Sequence, residues 1–344
     1  MEKNGRPLVR MIFIALAWVT GACVSRPEAP AQITASPASI TPTALSPTRE
    51  PSQTPAPTST EAPASEPISI TDGLDRPVVL PAPAQRIVSM APSNTEILFA
   101  IGGDSQVIGR DEFSDYPEEA KALPGVGGGF SDYNLEAIVE LRPELVLAAE
   151  INTAEQVQAL EDLGLTVFYL ANPTTLEELY ANLGTVGRLI GREDEATEVV
   201  QGLEARVAEV ESRVASATER PTVFYELDGT DPAAPWTAGT DTFIDILIQL
   251  AGGENIASDI GSGYIQVSVE ELLVRNPDLI LLGDSAYGAT PELVAERAGW
   301  DALISVQNNS IYPFDDNLVS RPGPRLVDGL EELAKLLHPE LFGE

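Results

Sequence analysis

Two pairs of acidic residues are the part of this sequence most suited to chemistry. Asp228 and Asp231 stand three positions apart, and Asp315 and Asp316 are adjacent. A pair of carboxylates can supply the acid and the base or nucleophile of a glycoside hydrolase. The chain carries a net charge of −33, however, and acidic loops on so acidic a protein are usually solvated. We therefore predict that the protein is not an enzyme, and we keep a surface-anchored hydrolase as the alternative from another class.

Other catalytic groups are scarce. The sequence contains one cysteine, Cys23, and one histidine, His338, which leaves no scheme for a disulfide or a zinc cluster. His338 lies in the sequence LHPELF, where we expect a helix end. The glycine run GVGGGF lacks the glycine spacing of a nucleotide-binding loop and follows Leu-Pro instead of a strand, so we predict a turn. The sequence predicts no cofactor and no bound metal.

The first 22 residues have the pattern of an export signal. Basic residues precede the apolar run Met11–Val19, which is too short to span a bilayer as a helix. The run leads into TGAC, which resembles a bacterial lipoprotein box. That resemblance implies that Cys23 is lipidated and becomes the mature N-terminus. The alternative is an ordinary signal with an incidental thiol.

Residues 23–67 are predicted to be a tether. The stretch after Cys23 holds ten of the 28 prolines, with no glycine and no aromatic residue. Such a segment cannot bury enough apolar surface to fold, and its prolines make it a fairly stiff spacer. A lipid followed by a spacer predicts that the folded part works outside the cytoplasm, held near a membrane. The strong negative charge argues against nucleic acid as a partner.

The remaining residues alternate short aliphatic strands with helical stretches, which predicts parallel sheets flanked by helices. Ser93 and Glu96 have the spacing of a capping box at the start of one helix. Glu193–Ala217 breaks the alternation with one long amphipathic pattern, which predicts a helix between two α/β lobes. The predicted divisions are an N-terminal lobe (68–190), a connecting helix (191–219) and a C-terminal lobe (220–344).

One phrase occurs twice in the chain, as NLEAIVELRPELVLA and as SVEELLVRNPDLILL. We interpret it as a helix followed by a strand, present once in each lobe. Asn134 and Ser268 are predicted to be the N-caps of these helices. Glu136 and Glu270 then fall at the second helical position, where an acid offsets the helix dipole.

Four stretches together have the appearance of one family. They are RIVSMAPSNTEILFAIG, FSDYPEEAKALPGVGG, NLEAIVELRPELVLA and SRPGPRLVDGLEELAKLLHPELF. They resemble the periplasmic binding proteins of ABC importers for cobalamin, iron siderophores and haem, nearest the cobalamin-binding branch. The similarity covers residues 68–343. It implies an α/β fold of two Rossmann-like lobes joined by a single long α-helix, with the ligand in the cleft between the lobes.

The resemblance also implies roles for individual residues. The positions that match cleft aromatics and a cleft arginine are Phe113, Phe130, Trp236, Tyr264 and Arg321. Aromatic faces with a few polar donors suit a flat macrocycle with amide edges. The alternative for the aromatics is packing in the core. For the arginine, the alternative is a helix cap or an ion pair with Asp315 or Asp316.

The partners follow from the same resemblance. In the family, one glutamate at the tip of each lobe docks on arginines of the two permease subunits, and Glu136 and Glu270 match those positions. The alternative is that both glutamates act only on the helix dipole. We therefore expect a corrinoid ligand, a permease with two-fold symmetry, and a membrane contact through lipid on Cys23.

The sequence leaves the ligand open. Ala149-Glu150 stands where the cobalamin branch has a tryptophan, and phenylalanine replaces tyrosine or tryptophan at two positions. Another corrinoid, a ferric siderophore or haem therefore remain alternatives to cobalamin. Haem is disfavoured by the position of the lone His338. A siderophore is disfavoured because the chain is poor in arginine and lysine.

Overall fold

The computed structural model of the protein describes residues 67–129 and 132–343, which belong to one compact unit. The export signal, Cys23, the tether up to residue 66 and Phe130 lie outside the described residues. Within the described part, no helix combines the length and the apolar character needed to cross a membrane.

The N-terminal lobe contains a hairpin and a parallel sheet. The hairpin pairs β1 (Ile68–Thr71) with β2 (Pro77–Leu80) in antiparallel fashion. The sheet has the order β4-β3-β5-β6, and all its strands are parallel. Its strands and helices are β3 (Ile87–Ser89), α1 (Pro92–Ala100), β4 (Val107–Arg110), α2 (Leu135–Leu141), β5 (Leu145–Ala149), α3 (Ala154–Asp162), β6 (Val167–Leu170) and α4 (Leu176–Ile190).

A single long helix, α5 (Glu193–Val214), follows the N-terminal lobe. At 1.5 Å per residue it is about 33 Å long. Its apolar face, with Leu203, Val207 and Val210 buried, packs against α4. The helix ends earlier than the predicted Ala217, because the N–H groups of Ser216 and Ala217 turn to carbonyls three residues back and tighten the last turn.

The C-terminal lobe repeats the architecture. Its parallel sheet has the order β12-β11-β7-β9, and a separate antiparallel pair joins β8 to β10. The strands are β7 (Thr222–Glu226), β8 (Trp236–Ala238), β9 (Glu254–Asn255), β10 (Tyr264–Gln266), β11 (Leu279–Leu282) and β12 (Ile311–Pro313). The helices are α6 (Phe243–Leu250), α7 (Val269–Arg275), α8 (Pro291–Ala295), α9 (Ile304–Gln307), α10 (Asn317–Ser320) and α11 (Leu326–Leu337).

One buried hydrophobic cluster connects both lobes through α5. It runs from Leu80 of the hairpin through Leu183 and Val207 to Leu247 and Leu333 of the C-terminal lobe. Two smaller clusters fill the other face of each sheet. The predicted fold class, two α/β lobes joined by one long helix, is therefore confirmed.

Candidate functional site

Ion pairs join the two lobes at the carboxyl ends of their sheets. Arg321 and Arg325 follow β12, whereas Glu96 follows β3 and Asp115 follows β4. Arg325 donates to Glu96 through Nε at 3.0 Å and through Nη2 at 2.6 Å. Arg321 Nη1 donates to Asp115 Oδ1 at 2.7 Å and lies 3.5 Å from Glu96 Oε1. The segments that follow the carboxyl ends of the two sheets therefore meet at these ion pairs.

Glu96 is the central group of this network and is only 3% exposed. Burial raises the pKa of the Glu96 carboxyl, and the hydrogen bond from Arg325 opposes that rise. The guanidinium of Arg325 also lies over the ring of Tyr116, 4.0 Å from its centroid. Burial acts to raise the pKa of Asp115, but the bond from Arg321 holds it below its usual value.

The capping box predicted for Ser93 and Glu96 is wrong. Helix α1 begins at Pro92, and its N-cap, Ala91, makes no side-chain cap bond. The Glu96 carboxylate was expected to accept from the N–H groups at the start of the helix. It accepts instead from Arg325 of the C-terminal lobe. Two partly buried guanidinium groups are stronger partners for a carboxylate than one backbone N–H group.

Two predicted ligand aromatics share one face of the C-terminal lobe. Trp236 lies on β8 and Tyr264 on β10, and the register pairs Trp236 with Gln266 and Ala238 with Tyr264. Directly opposed residues lie on the same side of an antiparallel pair, as do residues two apart. The two side chains are therefore diagonal neighbours. They are 42% and 56% exposed, respectively, so the core-packing alternative does not hold for them.

Of the other residues predicted to line the cleft, Phe113 lies in the N-terminal lobe and Arg321 takes part in the ion pairs between the lobes. Phe113 follows β4, is 36% exposed, and is held by its backbone N–H donating to Asp111 Oδ1 at 2.9 Å. Phe130 lies outside the described residues. Arg321 pairs with carboxylates of the N-terminal lobe, and its predicted alternative partners, Asp315 and Asp316, make other contacts.

The predicted glycine turn is present before Phe130. Gly127, Gly128 and Gly129 have φ values of 84°, 88° and 66°, a backbone that only glycine adopts readily in succession. Gly127 forms a bridge with Tyr133, whose hydroxyl donates to the carbonyl of Met90 at 2.8 Å. Burial raises the pKa of Tyr133 to about 12, so this donor keeps its proton.

The helices of the repeated phrase begin as predicted. The side chain of Asn134 accepts a hydrogen bond from the N–H of Ala137, and that of Ser268 accepts one from Glu271. Glu136 and Glu270 occupy the second helical position of α2 and α7, and both are exposed. Within residues 67–129 and 132–343, neither carboxylate has a recorded hydrogen bond or ion pair.

The acidic loop residues serve local structure. Asp231 accepts from the N–H of Ala233, and Asp315 accepts from that of Asn317. Asp316 accepts from the hydroxyl of Tyr225 at 2.9 Å. His338 is the C-cap residue of α11 and is buried, so it ends a helix as predicted. Among the residues that the structure describes, no cluster of His, Cys, Asp and Glu has the arrangement of a metal site.

A crevice in the C-terminal lobe was missed by sequence reasoning. It has a volume of about 430 Å³ and contains Asp228, Asp284 and Arg297, with the 88% exposed side chain of Tyr287 at its wall. The sequence signal was the stretch GDSAYG directly after the strand LILL, because ligands of α/β folds bind where strands end.

Comparisons with known proteins agree on one family. The model of the family described as periplasmic binding protein matches residues 87–318. The ABC transporter substrate-binding lipoprotein YvrC of Bacillus subtilis (strain 168), which is described as uncharacterized, is 32% identical over 283 residues. That alignment covers 81% of this chain and 88% of the relative.

The names of one relative and of one solved structure give different ligands, cobalamin and haem. A cobalamin-binding protein of Halobacterium salinarum (strain ATCC 29341 / DSM 671 / R1) is 31% identical over 282 residues, which cover 80% of this chain and 75% of that protein. The apo structure of the periplasmic heme-binding protein RhuT from Roseiflexus sp. RS-1 superimposes with a TM-score of 0.68 at 27% identity. It covers 75% of this chain and 99% of RhuT.

Proposed function

The chain belongs to the periplasmic binding protein family, and from that premise we propose that it captures cobalamin or a related corrinoid in the cleft between its lobes. It is a substrate-binding protein of an ABC transporter of the vitamin B12, siderophore and haem type. Members of this family are solute-binding transport proteins and not enzymes. The bound corrinoid would be released to the permease, and the ATPase of the importer would supply the energy.

The observation that carries the corrinoid proposal is the pair Trp236 and Tyr264. Both aromatic side chains are exposed and lie on one side of the β8–β10 pair, and we propose that together they form an apolar platform. A macrocycle can stack on such a platform while its amide edges meet polar groups around it. Phe113 and Phe130 of the N-terminal lobe are proposed to cover the opposite face of the ligand, and Arg321 is proposed to reach its edge.

The location proposed for the protein is the outer side of the cell membrane. Lipid on Cys23 would anchor it, and the proline-rich residues 23–67 would separate the lobes from the bilayer. The name of the Bacillus subtilis relative as a lipoprotein supports this proposal. Metabolic labelling with a radioactive fatty acid tests it, since the label should enter the wild type and be absent from Cys23→Ser.

The permease contact is proposed to involve Glu136 and Glu270. Each is an exposed acid without a recorded partner in the described part of the chain, and each begins the same helix–strand unit of its lobe. Two equivalent acids, one on each lobe, match a permease with two-fold symmetry. Charge pairs at such an interface set its register and speed the encounter.

A second candidate ligand class is a ferric siderophore or haem. The superposition on the haem-binding protein RhuT supports haem as an alternative. Against it, the single histidine, His338, is buried at the end of α11. The predominance of carboxylates over arginines and lysines disfavours anionic chelates, although a cationic ferric hydroxamate escapes that objection.

Isothermal calorimetry on the mature protein tests the proposed ligand. We expect a saturable heat with cyanocobalamin, and a roughly tenfold or greater loss of affinity in Trp236→Ala and in Tyr264→Ala. Leu163→Ala is the matched control, because it truncates an exposed apolar residue at the end of α3. Absence of heat with cyanocobalamin, together with binding of a ferric hydroxamate or of haem, would transfer the assignment to that ligand.

A further inference from the structure

Asp115 of the N-terminal lobe forms an accessible ion pair with Arg321 of the C-terminal lobe. Its Oδ1 accepts from Arg321 Nη1 at 2.7 Å, and the same nitrogen lies 3.5 Å from Glu96 Oε1. The side chain of Asp115 is 50% exposed and that of Arg321 is 16% exposed, whereas the Glu96 side chain is buried. A ligand between the lobes can therefore reach this pair.

Both partners of the pair belong to segments that carry proposed ligand residues. Asp115 is two positions after Phe113. Arg321 is the C-cap of α10, whose N-cap is Asp316, and the four residues of this helix span about 6 Å. Partial burial and the Asp316 carboxylate raise the pKa of Tyr264, which indicates that Tyr264 lies near the start of α10. A corrinoid that contacts Phe113 and Tyr264 would therefore bring part of its edge to the pair.

The charges where the lobes meet are balanced. Arg321 and Arg325 supply two positive charges, and Glu96 and Asp115 supply two negative charges. Burial raises the pKa of a third acid, Asp111, and Arg321 is one of the groups that oppose this rise. These five side chains therefore offer an anionic ligand edge no excess of positive charge. To gain one, the anion would have to displace Asp115 from Arg321 and lie beside that carboxylate.

Arg321 keeps hydrogen-bonding capacity although its charge is balanced. Both of its recorded contacts with carboxylates use one nitrogen, Nη1. Among the residues that the structure describes, no acceptor is recorded for its Nε or Nη2. A guanidinium has five N–H donors, so the three on these two nitrogens remain for a ligand. A neutral acceptor such as an amide carbonyl oxygen can use them without bringing a charge of its own.

We infer that Asp115 determines the charge of the ligand edge that Arg321 accepts: the pair binds an amide carbonyl of a corrinoid and disfavours a carboxylate. The inference rests on the proposed corrinoid function and adds a residue that sets its selectivity. The edge of a corrin carries primary amides, whereas corrinoids with hydrolysed side chains carry carboxylates. Asp115 acts through Arg321, whose guanidinium it both neutralises and holds in position, so it is a positioning residue.

The probes that test this are cyanocobalamin and its three monocarboxylate derivatives, each with one propionamide hydrolysed to the acid. Their affinities are measured by calorimetry near neutral pH. For at least one isomer, we expect wild-type protein to prefer cyanocobalamin by roughly tenfold or more.

Asp115→Asn separates the charge of this residue from its hydrogen bond. The amide oxygen of asparagine can still accept from Arg321, but the negative charge is gone. We expect the affinity for cyanocobalamin to stay within about threefold and that for the discriminated acid to rise by about tenfold. Asp115→Ala removes both charge and hydrogen bond, so Arg321 loses its fixed position and the affinity for cyanocobalamin should fall as well. A merely damaged site would bind both ligands less tightly in Asp115→Asn.

The Arg321→Met background shows whether Asp115 acts through Arg321. There, Asp115→Asn should change the preference by less than about threefold, because only the direct repulsion between two solvated carboxylates remains. An undiminished effect in this background would contradict the role given to Arg321.

Asp104→Asn is the matched control. It removes one exposed acid from the same lobe, but Asp104 precedes the amino end of β4, whereas Asp115 follows its carboxyl end. Its preference should equal that of wild type. If wild type binds cyanocobalamin and all three acids equally, or if Asp115→Asn leaves the ratio unchanged, the inference about Asp115 is wrong and the corrinoid function stands. If wild type does not bind cyanocobalamin, both are wrong.

Discussion

Arg325 and Glu96 form a two-point ion pair between the lobes, with Nε–Oε2 and Nη2–Oε1 distances of 3.0 and 2.6 Å. The two residues are 229 positions apart in the chain. Both side chains are largely removed from solvent. An unpaired charge at such a position would strongly lower the free energy of unfolding, although the intact pair itself adds little to stability.

The variant Arg325→Met should destabilise the folded protein by about 3–5 kcal/mol, because it leaves a buried carboxylate without its main partner. Urea unfolding measures this free energy. Arg188→Met, at an exposed site of α4, is the control and should change it by less than about 0.5 kcal/mol.

The cost of Arg325→Met should also depend on pH. Burial already raises the pKa of Glu96, and loss of the arginine raises it further. A carboxyl whose pKa is raised by folding contributes stability below its unfolded pKa, and that contribution disappears as pH rises through the folded pKa. The variant should therefore lose more stability at about pH 8 than at about pH 5. An equal loss at both values would show that Glu96 is not the group responsible.

Closure on the ligand should be small. One helix crosses between the lobes, a continuous hydrophobic cluster surrounds it, and ion pairs tie the facing loops. Large hinge motions need loop crossings that absorb changes in backbone angles. Small-angle scattering curves of the free and cyanocobalamin-bound protein should nearly superimpose. A change of several ångströms in the radius of gyration would contradict this expectation.

The N-caps of the repeated phrase should contribute equally to stability. Asn134→Ala and Ser268→Ala each remove an acceptor for a backbone N–H at the start of α2 or α7. We expect each to lower the free energy of unfolding by about 1 kcal/mol, measured in urea. Asn308→Ala, which alters an exposed asparagine without a recorded side-chain bond, should have little effect.

The double variant Glu136→Gln/Glu270→Gln tests permease docking. Affinity for the reconstituted transporter should fall and depend less steeply on salt, while affinity for cyanocobalamin is unchanged. Glu177→Gln/Asp301→Asn removes two exposed acids, one of them on α4 and neither on α2 or α7, and should dock as wild type does. If melting temperature falls but docking does not, the two glutamates act only on the helix dipoles.

The strand of the repeated phrase could be predicted in each lobe, because buried aliphatic runs such as Leu145–Ala149 and Leu279–Leu282 carry a strong local signal. The N-caps Asn134 and Ser268 could likewise be predicted from the sequence, because each side chain accepts a hydrogen bond from an N–H group only three residues later. The long amphipathic helix was clear from its spacing, with an error of one turn at its end.

Features that depend on contacts between distant parts of the chain could not be predicted from the sequence. The spacing of Ser93 and Glu96 fits a local cap, but the actual partners of Glu96 lie 225 and 229 residues away. The strands β8 and β10 have three residues each and an exposed face, so they lack an apolar run. The crevice that contains Asp228 and Asp284 forms only when the loops after β7 and β11 are placed side by side.

Because Glu96 and its two arginine partners are 225 and 229 positions apart, Glu96 is synthesised long before them. Chains emerge from the N-terminus, and domains generally fold as units as they appear. The N-terminal lobe, contiguous in sequence, is therefore synthesised in full before Arg321 and Arg325 are added. Until then, the carboxylate on its first helix has no cation from the other lobe. A polypeptide that stops before Arg321 therefore lacks both arginine partners of the Glu96 carboxylate.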